Sequence, residues 1–178
     1  IIPNVIKKLN VMAYHFRDVR TRAQQYWRDV GTVDAFYEAN MELVSVDPEL
    51  NIYDSQWPIW TFQRQQPPAK FVLNEEGRRG MAVDSMISGG CIISGAEVIR
   101  SLLSTNVRVA ERSHIEEALL FPDVRVGPDC IIKKAILDTG GIVPPGTKIG
   151  IDVAEDARRF YVSEKGVILV TRDMLAKL

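Results

Sequence analysis

The chain has 178 residues, 46% of them hydrophobic, and its 22 basic against 23 acidic side chains leave a formal net charge of −1. That balance offers no positive field to nucleic acid or to an anionic membrane surface. The longest aliphatic runs, such as "VILV" at 167–170, fall far short of the roughly 20 residues that span a bilayer.

The opening "IIPNVIKKLN" has no initiator methionine and lacks the order of a signal peptide, so the sequence is expected to start inside a larger protein. Val5, Ile6 and Leu9 share a helical face there, and "VMAYHF" at 11–16 reads as a strand carrying His15 in a structural role. A polar loop, "RDVRTRAQQ", leads to "YWRDVGT" at 26–32. The next stretch, "VDAFYEANMELVSV", places Val33, Phe36, Tyr37, Met41 and Val44 at helical spacing, with Thr32 as N-cap and Asp34 in the first turn. Residues 1–66 therefore read as the end of an α/β domain. A proline-marked connector, 67–80, follows around Pro67 and Pro68, whose fixed φ favours an extended spacer.

Beyond it, steps of 5, 6 and 6 from Met81 land on Met86, Ile92, Val98, Leu103, Val109, Ile115, Leu120, Val126, Ile132, Leu137, Val143 and Ile149. All are aliphatic. Neither helical spacing nor an ordinary hairpin sheet would hold that phase over 81–150; a parallel β-helix of hexapeptide repeats would, with three short strands per 17-residue coil. Gly89, Gly90, Gly95, Gly127, Gly140, Gly141 and Gly146 suit corners that need positive φ. A shift of 17 puts Cys91 over Arg108 and Arg125, and Cys130 over Ser113 and Ala96, so two free thiols are expected, as in a reducing cytoplasm. In 151–178, "RRFYVSEKGVILVT" reads as a hairpin and "TRDMLAKL" as a terminal helical turn capped by Thr171.

The carboxylate in "YWRDVGT" admits two readings from the residues alone. Asp29 is either paired with Arg28 or Arg22 to hold the loop, or presented as an oxygen ligand where chemistry happens, beside a glycine that lets the backbone approach a ligand.

In order along the chain, "YWRDVGT", "QWPIW", "PPAKF", "SGGCIISG" and "EDARRFY" resemble the C-terminal part of bacterial glucose-1-phosphate adenylyltransferase, or ADP-glucose pyrophosphorylase. The resemblance covers essentially the whole chain. It implies the end of a nucleotidyltransferase domain followed by a left-handed parallel β-helix, in a cytoplasmic homotetramer. The enzyme would join ATP and glucose 1-phosphate into ADP-glucose and pyrophosphate for glycogen synthesis. It also implies that Asp29 helps hold Mg²⁺ at the sugar phosphate, that Trp27 lies beside the substrate pocket, and that Arg172 binds a phosphorylated activator. Where the enterobacterial pattern has a second arginine stands Ala176, for which Lys177 is the candidate substitute, and Thr139 replaces an arginine tied to the inhibitor nucleotide. The family's glycine-rich phosphate loop does not occur in these residues, so the chain alone is expected to be inactive. Two alternatives stand beside this: a hexapeptide acyltransferase using His114 as base, although that residue should point outward, and a scaffold that serves assembly alone.

Overall fold

The computed structural model describes residues 2–17 and 22–178. Part of the polar loop expected at 17–25 lies outside the described residues. Among those described, residues 2–66 hold two helices, α1 (Ile2–Val5) and α2 (Val33–Glu42), and one isolated antiparallel bridge between Arg17 and Gln24. No strand forms at 11–16, and His15 is exposed. An extended segment without a neighbouring strand has nowhere to place its backbone hydrogen bonds except water. Ile6, Leu9, Met12 and Tyr14 are likewise exposed, so the expected helical face buries nothing against this chain. The α/β character of this region is visible only as helices.

From residue 70 the chain winds into a parallel β-helix with three faces. Face A stacks Lys70–Val72, Ile92–Ser94, Arg108–Val109, Arg125–Val126 and Ile142–Val143. Face B stacks Met81–Val83, Glu97–Ile99, His114–Glu116, Ile131–Lys133 and Lys148–Ile149. Face C stacks Met86–Ile87, Leu102–Leu103, Leu119–Leu120 and Ala135–Leu137. The stretch read as a connector thus supplies the first strand of face A, Lys70–Val72, paired in parallel with Ile92–Ser94. A small hairpin, Asn74–Glu75 against Arg78–Arg79, interrupts the winding immediately afterwards.

The inward column runs as expected from Val98 to Ile149, each residue almost fully buried. Before Val98 the register differs by one. Ala82 pairs with Val98, Ile87 with Leu103 and Ile93 with Val109, so these residues point inward instead of Met81, Met86 and Ile92. The first coil is 16 residues, from Ala82 to Val98, against 17 from Val98 to Ile115. The shift moves Cys91 beside Val107 instead of Arg108, while the Cys130 amide keeps its contact with Ser113, a 3.0 Å bond to Oγ. Both cysteines are free and buried, and burial is the main influence raising each thiol above its ordinary pKa.

Each corner turns on a residue with positive φ, and these residues form columns of their own. One runs Gly90, Asn106, Asp123, Gly140; another Gly95, Arg112, Asp129, Gly146; a third Asp84, Arg100, Glu117, Lys134. Polar side chains therefore share the conformation expected of glycine, and they bond to the next coil. Asn106 donates to Asp123 at 2.6 Å, and Arg112 donates to both oxygens of Asp129 at 2.7 and 3.0 Å. Gly89, Gly127 and Gly141 do not occupy the positive-φ positions. At Gly127 the constraint is space, since a Cβ would stand 2.8 Å from the Pro145 nitrogen.

The far end is closed by an element with no counterpart in the sequence reading, α3 (Val153–Arg159), whose N-cap Asp152 accepts from the amides of Ala154 and Glu155. Asp156 is buried and accepts from the Gly150 amide at 2.8 Å and from Arg159 at 3.0 Å, tying α3 to the last coil. The expected hairpin forms between Tyr161–Val162 and Ile168–Val170, and its second strand continues face C beside Ala135–Leu137. Thr171 caps α4 (Arg172–Leu175), accepting from the Met174 amide. Among the described residues no helix is long and apolar enough to cross a membrane.

Candidate functional site

The segment 26–32 enters α2 through Thr32, which has extended φ and ψ of −121° and 160° and accepts from the Ala35 amide at 3.1 Å. This is an N-cap that satisfies one of the open amides of the first turn. Upstream, Asp29 is exposed and folds back so that Oδ1 accepts from the Gly31 amide at 3.0 Å, the side-chain turn that aspartate favours in loops. A Cβ at residue 31 would stand 3.2 Å from that oxygen, so glycine leaves the carboxylate its room. Asp29 pairs with neither Arg28 nor Arg22. Arg28 turns instead to Glu42 and Glu49, and among the described residues Oδ2 of Asp29 has no partner.

Trp27 is 69% exposed and forms one wall of a hollow of about 460 Å³ with Phe16, Gln24, Gln25 and Glu49. Asp29 does not line that hollow. The two residues share a short segment, and the fold brings no third expected site residue to them.

The helix behind the loop is fixed to the β-helix. Tyr37, Val33, Phe36 and Met41 pack against Leu119, Ile136 and Phe121 on the outside of face C, with the rings of Phe36 and Phe121 edge-on at 6.0 Å. The Tyr37 hydroxyl donates to the backbone carbonyl of Glu117 at 2.6 Å. On the other side, Asp34 accepts from the Ser163 hydroxyl and from the Lys165 amide at 3.3 Å, and Lys165 Nζ pairs with Glu38 at 2.6 Å. Sequence reasoning assigned Asp34 only to the helix dipole and left Glu38, Ser163 and Lys165 without a role. Their spacing carries no local signal, because the contacts bridge about 130 residues.

Arg172 and Lys177 lie at opposite ends of the α4 turn, both exposed, and neither has a carboxylate partner among the described residues. Buried Leu175 anchors the turn against the β-helix, beside Gly141. His114 sits on the outside of face B as expected, but both ring nitrogens face carboxylates, Glu97 at 3.3 Å and Glu116 at 3.2 Å. Glu116 is held well below the ordinary carboxylate range, at about 2, chiefly by Lys133 and then by His114. Neither nitrogen of His114 is left open to serve a substrate.

The family model for the GlmU-like C-terminal hexapeptide matches residues 67–170. The chain belongs to that family. The GlmU-like hexapeptide match begins three residues before the first strand of face A and ends with the last strand of face C, so it coincides with the β-helix and its hairpin. Relatives extend the similarity through the N-terminal segment. The glucose-1-phosphate adenylyltransferase of Methylococcus capsulatus is 57% identical over 177 residues, covering 99% of this chain and 42% of the relative. That of Nitrosococcus oceani is 56% identical over 178 residues, again 99% of this chain and 42% of the relative. An enzyme of the same name from Shewanella baltica is 58% identical over 176 residues. The chain spans about two-fifths of the length of these curated relatives and matches their C-terminal part.

Proposed function

We propose that the chain is the C-terminal part of an enzyme that forms ADP-glucose and pyrophosphate from ATP and glucose 1-phosphate, the step that feeds glycogen synthesis. The observation that carries this is similarity to proteins of that name along 99% of the chain, including the loop of Asp29 and the helix behind it. The hydrophobic surface of the N-terminal segment supports it. Tyr14, Trp57, Trp60 and Phe62 are all exposed, large aromatic side chains suited to packing against the remainder of a longer protein.

The reaction joins an oxygen of the sugar phosphate to the α-phosphorus of ATP and breaks the bond from that phosphorus to pyrophosphate. Its catalysis rests on positioning and on neutralising phosphate charge. Asp29 fits a role as one ligand of a hard cation: its carboxylate is exposed, one oxygen is steadied by the Gly31 amide, and the other has no partner among the described residues. Mg²⁺, when bound, would supply the charge that phosphate oxygens require. Among the described residues no group of three His, Cys, Asp or Glu comes together, and a second carboxylate would be supplied by the remainder of the longer protein. Trp27 would flank the sugar, while Arg172 and Lys177, exposed and without carboxylate partners among the described residues, would offer donors to a phosphorylated effector. The flat faces of the β-helix suit assembly into a homotetramer, and two buried free thiols suit the cytoplasm.

The test is made in the full-length protein. Asp29→Asn is expected to lower ADP-glucose formation by about 10²- to 10³-fold, the scale of losing one electrostatic stabiliser of a transition state, with the unfolding midpoint unchanged. Full turnover by the variant at saturating Mg²⁺ removes Asp29 from the site. Acetyl-CoA turnover that disappears in His114→Ala would replace the whole reading with acyl transfer.

A further inference from the structure

The apolar face of α2 explains why the helix stays on the β-helix, but not why it stops at one axial position. Packing of this kind is non-directional and tolerates small slides and rotations. Directionality comes from hydrogen bonds: Tyr37 to the Glu117 carbonyl fixes the helix on its β-helix side, and the polar contacts on the other side fix its first turns. Ser163, in the turn between the last two strands, is buried and uses its hydroxyl fully, donating to Asp34 and accepting the Val167 amide at 2.8 Å. The Lys165 amide reaches the other oxygen of Asp34, and one helical turn further on Glu38 takes the Lys165 ammonium at 2.6 Å. Asp34 lies two residues beyond the N-cap Thr32 and five beyond Asp29, with the Gly31 turn between them.

We propose that Asp34 and Glu38, gripped by Ser163 and Lys165 of the C-terminal hairpin turn, are positioning residues that set where the Asp29 loop sits relative to the β-helix. The inference rests on the reading of Asp29 as a ligand at the sugar phosphate. Any displacement of the hairpin turn draws on Asp34, and through the first turn of α2 it reaches Thr32, Gly31 and the Asp29 carboxylate. The strand leaving the same turn, Ile168–Val170, runs directly to Thr171 and Arg172. The C-terminal turn and the candidate ligand loop are therefore parts of one connected unit.

Charge exchange tests this in the full-length protein. Glu38 and Lys165 are exposed, so Glu38→Lys and Lys165→Glu should fold, yet each sets like charges against each other at the latch. Each single variant is expected to raise the half-saturating Mg²⁺ concentration and the KM for glucose 1-phosphate about three- to tenfold, leaving the KM for ATP in place. Amide hydrogen exchange in 29–36 should accelerate by a similar factor, and the double exchange should bring both readouts back to within about twofold of wild type. Ser163→Ala provides a second route to the same acceleration. Wild-type exchange in both single variants, or a double variant no better than the singles, overturns the proposal. If the wild-type protein forms no ADP-glucose, the functional reading falls, and the exchange measurements still decide whether the latch holds the loop.

Discussion

Tyr37 and Glu117 are 80 residues apart, and the phenol of the first donates to the backbone carbonyl of the second at 2.6 Å. Glu117 is a corner residue with φ of 50°, one of the column that turns the chain from face B to face C. The corner thus presents its carbonyl outward, where α2 collects it. Tyr37 is 7% exposed, and burial, reinforced by the nearby Glu117 charge, pushes its phenol up to about 12.

Tyr37→Phe removes one hydrogen bond while keeping the ring. A loss of about 1 kcal/mol is expected at neutral pH, measured by urea unfolding. The sign at high pH follows from the raised value: the unfolded phenol ionises near 10, the folded one near 12, so the Tyr37 contribution is complete below about 10 and is lost as pH rises through about 12. The advantage of wild type over Tyr37→Phe should therefore shrink across that window. A gap that stays constant to the top of it would show that the phenol is not buried against the corner.

Gly150 and Gly77 separate conformation from space. Both have positive φ, 77° and 74°, but a Cβ at Gly150 would stand 2.0 Å from the Lys133 carbonyl oxygen, whereas at Gly77 it would meet nothing within 4 Å. Gly77→Ala should cost about 1 to 2 kcal/mol, the strain of the left-handed conformation. Gly150→Ala must also displace the backbone of the adjacent coil, and is expected to cost at least about 3 kcal/mol. Equal unfolding midpoints for the two variants would sink the distinction.

The sequence made the coil legible where one aliphatic residue stood without an aliphatic neighbour, as at Ile115 and Val126. Where two stood together the reading was right at Leu102 and Leu103, at Leu119 and Leu120, and at Ile131 and Ile132, but misled in the first coil. Met81 and Ala82, Met86 and Ile87, and Ile92 and Ile93 each offer two candidates for one inward position, and hydrophobicity cannot choose between them. The choice is made by the corner between Ile93 and Val98, one residue shorter than its equivalents below. The strand Lys70–Val72 was hidden because the hairpin of Asn74–Arg79 breaks the repeat after it. At the candidate site, Thr32 and Asp34 announced the start of α2 by local capping chemistry, so that boundary was readable. The grip of Ser163 and Lys165 on that helix was not, because it exists only once the coils have been stacked in register.

That register can be tested at adjacent residues. Ile93 is fully buried and paired with Val109, while Ile92 pairs with Arg108 on the outer surface of face A and remains partly accessible. Removing a side chain from the interior forfeits its burial and leaves a cavity that the stacked coils cannot close, since each coil is held by strands above and below. Ile93→Ala is therefore expected to cost about 2 to 5 kcal/mol in chemical unfolding. Ile92→Ala, which opens no internal cavity, should cost less than about 1 kcal/mol. The 17-residue spacing applied without interruption demands the opposite order, so the larger loss at Ile92 would restore the longer corner and return Cys91 to the column of Arg108.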